Sequence, residues 1–155
     1  MSTQRGGPQR FRDPLIWLEM LARRDIHVVC PRCAGRAVDV PRSAEQRVGP
    51  RRLVCGSCGY TADTTPRSVM WRGPVDPYFH VPLWLQAQCC GGETLWALNE
   101  EHLDLLEGYV GAKLRERQAF PGSMTMVARL PVGMKSAKHR DEVLRTIGRL
   151  RASLR

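Results

Sequence analysis

A small α+β fold is what this sequence predicts, and three observations carry the prediction. The spacing Cys-x2-Cys occurs twice, at Cys30/Cys33 and at Cys55/Cys58, each time after a short β-prone run, "HVV" or "RRLV". The stretches "PLWLQAQ" and "ETLWAL" flank the turn residues "CCGG", which is the pattern of a β-hairpin. Two later segments place apolar residues at helical spacing: Leu103, Leu106, Val110 and Leu114 in one, Val143, Ile147, Leu150 and Leu154 in the other. The chain has 155 residues, 43% of them apolar, so a packed core is within its means.

Taken in order, residues 1–12 hold three Arg and no acid and are expected to be a mobile basic tail. Asp13 caps, and Pro14 opens, an expected helix over 14–24. The first Cys pair follows, then the alternating strand "RAVDV", a loop after Pro41, and the second pair. Residues 13–64 thus form a leading helix and a two-knuckle module.

The four thiols admit three readings. A redox Cys-x-x-Cys opens a helix in a βαβ unit, whereas "AVDV" and "YTAD" after these pairs read as strand. A disulfide framework suits an oxidising compartment. The polar first twelve residues and the absence of a long apolar run instead suggest a cytoplasmic protein with no membrane contact. The remaining reading is a metal. Two x2 pairs separated by 21 residues, with Ala34-Gly35 and Gly59 to relax the turns, resemble a zinc ribbon holding one Zn(2+) per chain on Cys30, Cys33, Cys55 and Cys58. Four protein ligands close the coordination shell, so such an ion organises the fold and leaves no position for a substrate.

Residues 65–155 supply the hairpin and two amphipathic helices, expected to pack with the ribbon as one unit. Cys89 and Cys90 are adjacent; side chains of neighbours in a strand point to opposite faces, so the pair is expected to be a poor chelate, one thiol buried and the other facing a turn. Asn99 reads as the N-cap of a helix from Glu100 to about Gln118, with Glu101 and His102 on its surface. "FPGS" breaks that helix, "MTMVARLP" reads as a short turn, and Ser136 caps the last helix.

The formal net charge is +9 and it is uneven: residues 26–60 set six Arg against Asp39 and Glu45, and residues 120–155 set eight bases against Asp141 and Glu142. A polyanion is therefore the expected partner, either nucleic acid or a nucleic-acid-bound complex. Arg51 and Arg52 on the ribbon, with Lys135, Lys138 and Arg140 near the last helix start, are the expected phosphate contacts.

The "RSAEQ" tip of the ribbon resembles that of transcript-cleavage elongation factors, but Gln46 follows Glu45 where those carry a second acid, so their metal-holding acid pair is not reproduced. The segments "VPLWLQ", "CCG", "LWALN", "EHL" and "MKSAKHRDEVL" resemble a group of small bacterial proteins with an N-terminal transcription factor IIB-type ribbon. That resemblance covers about residues 26–152 and implies an architecture without an activity. With no paired carboxylates, Ser/His/Asp set or phosphate-cradling Gly loop in view, nuclease or redox chemistry is not expected. The expected function is a non-enzymatic zinc-ribbon protein binding nucleic acid or a machine such as RNA polymerase; the alternative is a zinc-stabilised protein–protein adaptor.

Overall fold

The computed structural model describes residues 10–12, 18–43, 48–111, 114–116 and 136–155. In chain order the elements are β1 (Arg10–Arg12), α1 (Leu18–Leu21), β2 (Ile26–Val29), β3 (Arg36–Pro41), β4 (Arg51–Cys55), β5 (Thr61–Thr64), β6 (Leu85–Cys89), β7 (Glu93–Ala97), α2 (Glu100–Gly111), β8 (Leu114–Glu116), a 3-10 turn (Ala137–His139) and α3 (Arg140–Ala152). The architecture is small α+β.

Strands β2 to β5 form one antiparallel sheet in sequential order. Its register pairs Val29 with Arg36, Ala37 with Cys55, and Val54 with Thr61, so both Cys turns lie at the same end. Alternate residues face inward, as the two-residue period of a strand requires: Ile26 and Val28 on β2, Ala37 and Asp39 on β3, and Arg51, Leu53 and Cys55 on β4. Along the edge of β2, residues 82–84 continue the pairing, with Val29 N–H donating to Pro82 O at 2.9 Å and Trp84 N–H to His27 O at 3.0 Å. An open strand edge is thereby covered.

Strands β6 and β7 make the expected hairpin, with Leu85 opposite Ala97 and Cys89 opposite Glu93. Helix α3 packs on α2 and on β6. Leu21, Ile26 and Leu53 of the first half join Leu83, Leu95, Leu103, Leu106 and Ile147 of the second in a single buried cluster. Arg151 on α3 pairs with Asp104 at 2.6 Å and Glu107 at 2.5 Å on α2, and Trp84 Nε1 donates to Ser153 Oγ at 3.2 Å.

Several expectations are corrected. Helix α2 ends at Gly111, not near Gln118: glycine is the poorest helix former after proline, and Leu114–Glu116 pair in parallel with Arg10–Arg12 instead. Those three arginine-tail residues are therefore strand. His102 is not at the surface but 3% exposed. Asn99 Oδ1 accepts from His102 N–H at 3.0 Å, and His102 Nδ1 accepts from Leu98 N–H at 3.0 Å. Asn99 is thus the side-chain cap of α2, and His102 reaches one residue further back, to the N–H of Leu98. Burial holds the His102 imidazole neutral, its pKa lowered to about 3. The expected start of the first helix (Asp13, Pro14), the Glu45–Gln46 tip and the turn over 124–131 lie outside the described residues.

Arg51 is the largest departure. Expected on a solvent face, it is 4% exposed. Its Nε donates to Asp39 Oδ1 at 2.6 Å, Nη1 to Ala22 O at 2.5 Å, and Nη2 to Arg24 O at 3.2 Å, while the Tyr78 ring covers the guanidinium at 4.3 Å. The physical reason is the strand period: Arg51 sits two residues from Leu53 and four from Cys55, so it must share their inward face. There it satisfies carbonyls at the end of α1 that no helical N–H reaches.

A second acid, Asp76, is also fully buried; its Oδ1 accepts from Tyr78 N–H at 2.8 Å. Asp39 Oδ2 and Asp76 Oδ2 have no donor among the described residues. Two ionised carboxylates cannot supply one, whereas a proton held between them satisfies both atoms and leaves a net charge of −1 against Arg51. Burial, followed by the interaction with Asp76, pushes Asp39 up to about 8, with Arg51 opposing; burial also raises Asp76. The folded protein then keeps a proton that the unfolded chain releases near its ordinary value of 3.8. This contribution to stability is complete below about pH 4 and is lost as the pH rises towards 8. Asp76→Asn provides an amide donor for Asp39 in place of that proton. Relative to the wild type, the variant should gain stability between pH 5 and 8, by at most about 1.4 kcal/mol per pH unit. Urea melts of the two proteins across that range, both with metal bound, provide the measurement; parallel curves would remove the shared proton.

Candidate metal centre

The two Cys turns are built alike. In the first, Cys30 N–H donates to Gly35 O at 2.8 Å and Ala34 N–H to Cys30 O at 2.9 Å; in the second, Cys55 N–H donates to Tyr60 O and Gly59 N–H to Cys55 O, both at 2.9 Å. The fifth residue of each turn has positive φ, 62° at Ala34 and 78° at Gly59. That conformation is natural for glycine and costly for alanine. Gly35 answers a different constraint, since a Cβ there would stand 3.2 Å from Cys33 Sγ.

The sheet register brings the turns face to face. Cys30 Sγ is 3.7 Å from Cys58 Sγ, and Cys33 Sγ is 3.6 Å from Cys55 Sγ. The four sulfurs all lie within 4.8 Å of one another and can hold a metal ion. A tetrahedral ion with metal–sulfur bonds of about 2.3 Å requires sulfur–sulfur separations of about 3.8 Å, close to those observed. Backbone N–H groups point at the sulfurs, Arg32 N–H at Cys30 Sγ (3.4 Å) and Gly35 N–H at Cys33 Sγ (3.3 Å). Such donors stabilise thiolates.

Electrostatics favour a cation here. Backbone N–H groups, that of Cys58 foremost, pull the Cys55 thiol down to about 6. At Cys33 the Gly35 N–H acts in the same sense, but the neighbouring thiols, Cys55 first, and desolvation outweigh it and push the thiol up to about 12. One thiolate thus opposes the next. A divalent cation among four sulfurs removes that conflict.

The remaining sequence-predicted site residues divide. Arg51 is withdrawn as a phosphate contact, being enclosed as described above. Arg52 is exposed on β4, yet its Nε and Nη2 donate to Asp63 at 2.9 and 3.2 Å, and Arg42 reaches the same carboxylate at 3.3 Å. Lys138 is exposed and Arg140 half-buried at the start of α3, where Ser136 Oγ accepts from Lys138 N–H at 3.2 Å. Lys135 lies outside the described residues.

Cys89 and Cys90 differ from expectation as well. Both are buried, at 4% and 5% exposure, and their sulfurs are bonded to each other. The opposite-face rule fails because Cys90 leaves the strand at φ 53°. Glu142 on α3 approaches them, its Oε1 accepting from Cys90 N–H at 3.1 Å. The Asp39–Asp76 pair was also missed, for its two halves come from distant segments; it is sealed from solvent and offers no site for substrate.

No family model, curated protein or solved structure matches the chain. Among the described residues, no helix is long and apolar enough to cross a membrane.

Metal analysis of the purified protein should return one ion per chain, retained in a Cys89→Ala/Cys90→Ala double variant and lost in Cys33→Ser. Retention by Cys33→Ser would dismiss the four-sulfur site. The matched turns give a finer test. Ala34→Gly should raise stability by about 0.5–1 kcal/mol, because relief at positive φ exceeds the added freedom of the unfolded chain. Gly59→Ala should lower it by a comparable amount or more. Denaturant midpoints at saturating metal measure both.

Proposed function

We propose that the ion is zinc, that the β2–β5 module is a zinc ribbon, and that the protein is a non-catalytic binder of nucleic acid or of a nucleic-acid-bound complex. The observation that carries the reading is a closed four-thiol site on a module whose exposed face is basic. Thiolate donors at tetrahedral spacing suit zinc, and an ion surrounded by protein sulfur has a structural role. Arg32 on the first Cys turn, with Lys138 and Arg145 by α3, is exposed and makes no salt bridge among the described residues. With a net charge of +9, these side chains favour a polyanion.

A second reading is a zinc-stabilised adaptor that meets protein alone. It is favoured by how much arginine is already engaged: Arg51 in the core, Arg42 and Arg52 on Asp63, Arg151 on the acids of α2.

Salt separates the two. Each phosphate contact should steepen the dependence of log affinity on log salt by roughly 0.7–0.9. Changing Lys135, Lys138 and Arg140 to Ala should weaken binding to all sequences alike and flatten the slope by about two to three units. Folding should survive, because Lys138 is exposed and Arg140 is not among the buried residues by which α3 meets the core. Titrations of wild type and triple variant against single- and double-stranded DNA and RNA at several salt concentrations make the comparison. No salt-sensitive binding by the wild type to any of them would reject the nucleic-acid reading in favour of the adaptor.

A further inference from the structure

We propose that Cys89 and Cys90 form a thiol–disulfide couple, oxidised as the vicinal disulfide of this structure and reduced by a small thiol to an adjacent dithiol. The two sulfurs are bonded to each other, whereas those of the four-thiol cluster stand apart at 3.6 and 3.7 Å, as a shared ion requires. The chain is shaped for this contact. Cys89 is the last residue of β6, paired with Glu93; Cys90, Gly91 and Gly92 then take φ of 53°, 77° and 95°. Three successive left-handed residues turn the chain so that neighbouring side chains meet on one side, which a regular strand forbids. Gly91 and Gly92 adopt that conformation at little cost; Cys90 does not, and is held there by its surroundings.

The setting isolates the pair. The other described cysteines belong to the metal cluster, so each sulfur has its neighbour as its one disulfide partner among the described residues. Both are nearly enclosed, which limits attack to slender reagents. The Cys90 N–H is held by Glu142 Oε1, and the other oxygen of that carboxylate lies 3.6 Å from His139 Nδ1. Opening the eight-membered ring frees Cys90 to leave positive φ. The first bond to feel the change is the one tying the hairpin tip to the start of α3, next to Lys138 and Arg140.

The chemistry balances as follows. A thiolate of the small reductant attacks one sulfur, the Cys89–Cys90 bond breaks, and the released cysteine thiolate takes a proton. A second reductant thiolate attacks the mixed disulfide, expelling the other cysteine thiolate, which also takes a proton. Two reductant thiols become one reductant disulfide while the pair gains two electrons and two protons; oxidation by a small disulfide is the reverse.

This inference stands apart from the nucleic-acid reading and from the identity of the metal. The test uses the full, metal-loaded chain equilibrated in mixtures of glutathione and glutathione disulfide of graded ratio. The chain is then blocked with N-ethylmaleimide in denaturant and digested with trypsin. Cleavage after Arg72 and Lys113 releases residues 73–113, which contain Cys89 and Cys90 and no other cysteine. The peptide should carry two maleimides in reducing mixtures. In oxidising mixtures it should carry none and weigh two hydrogens less than the free dithiol peptide, with one two-electron transition between the forms. Cys89→Ser and Cys90→Ser should each keep one bound metal and lose the maleimide-free, two-hydrogen-lighter form. A wild-type pair that takes two maleimides at every ratio would overturn the couple, as would one that resists reduction throughout or ends as a glutathione adduct. So would a second metal ion taken up on reduction and lost in Glu142→Gln, which would make the three residues a metal site.

Discussion

A guanidinium inside the core sets the relation between the two halves of this protein. Arg51 binds Asp39 on the adjacent strand, two carbonyls beyond α1, and the face of Tyr78 from the segment that leads to the hairpin. A buried cation without these partners would cost several kcal/mol. The sheet, the helix and the connector must therefore arrive together. Asp76 extends the constraint, because a second buried acid beside Asp39 is tolerable only with one proton between them. Replacing such a buried ionic group by apolar residues of the same volume is often neutral or stabilising. What it does fix is which pieces meet, since hydrophobic contact alone is indifferent to orientation.

Strand β4 joins this charged end to the metal end. Arg51, Leu53 and Cys55 follow one another on its inward face, so in five residues the strand passes from an ion pair through the apolar core to a sulfur of the candidate metal centre. The cysteine cluster and the guanidinium then have complementary places. A metal ion held by the four sulfurs would close the sheet at the end where the chain turns twice. Arg51 anchors the sheet to everything that follows. The two-residue period links them: a one-residue slip of β4 would expose Arg51, Leu53 and Cys55 together. A slipped register would lose the metal, the core and the ion pair at once.

Sequence reading succeeded where the signal is local. Each Cys turn declares itself within six residues, Asn99 caps α2, and the Val143–Ile147–Leu150 stripe needs the helical period alone; Ser136 caps the 3-10 turn that precedes α3, and α3 itself starts at His139 without a side-chain cap. It failed where a partner is distant. Arg51 looks like one more base in an Arg-rich hairpin, and nothing nearby reveals Asp76 or the carbonyls of Ala22 and Arg24. Alternation would have offered a clue, since "RRLVC" places Arg51 in step with Leu53 and Cys55. His102 reads as a surface residue in the sequence, because its acceptor role towards Leu98 N–H depends on how the chain enters α2. Cys90 was assigned a strand geometry that the two following glycines do not support. Helix α2 stops at a glycine that apolar spacing alone passed over.

The same physics redistributes the charge. A net +9 read along the sequence suggests a basic surface, but folding withdraws part of it. Arg51 is neutralised internally, Asp63 engages Arg42 and Arg52, and Arg151 lies among Asp104, Glu107 and Glu100. Among the described residues, other exposed bases are dispersed: Arg23 after α1, Arg32 on the first Cys turn, Arg67 and Arg72 before the hairpin, and Lys138, Arg145, Arg149 and Arg155 on or beside α3. Ions at the protein surface are screened over about 8–10 Å in physiological salt, so bases spread in this way act on a polyanion through their own contacts more than through a common field. A ligand that meets one of them alone would feel a small part of the formal charge. One that meets several would need length and repeated negative charge, which a nucleic acid has and a small anion lacks.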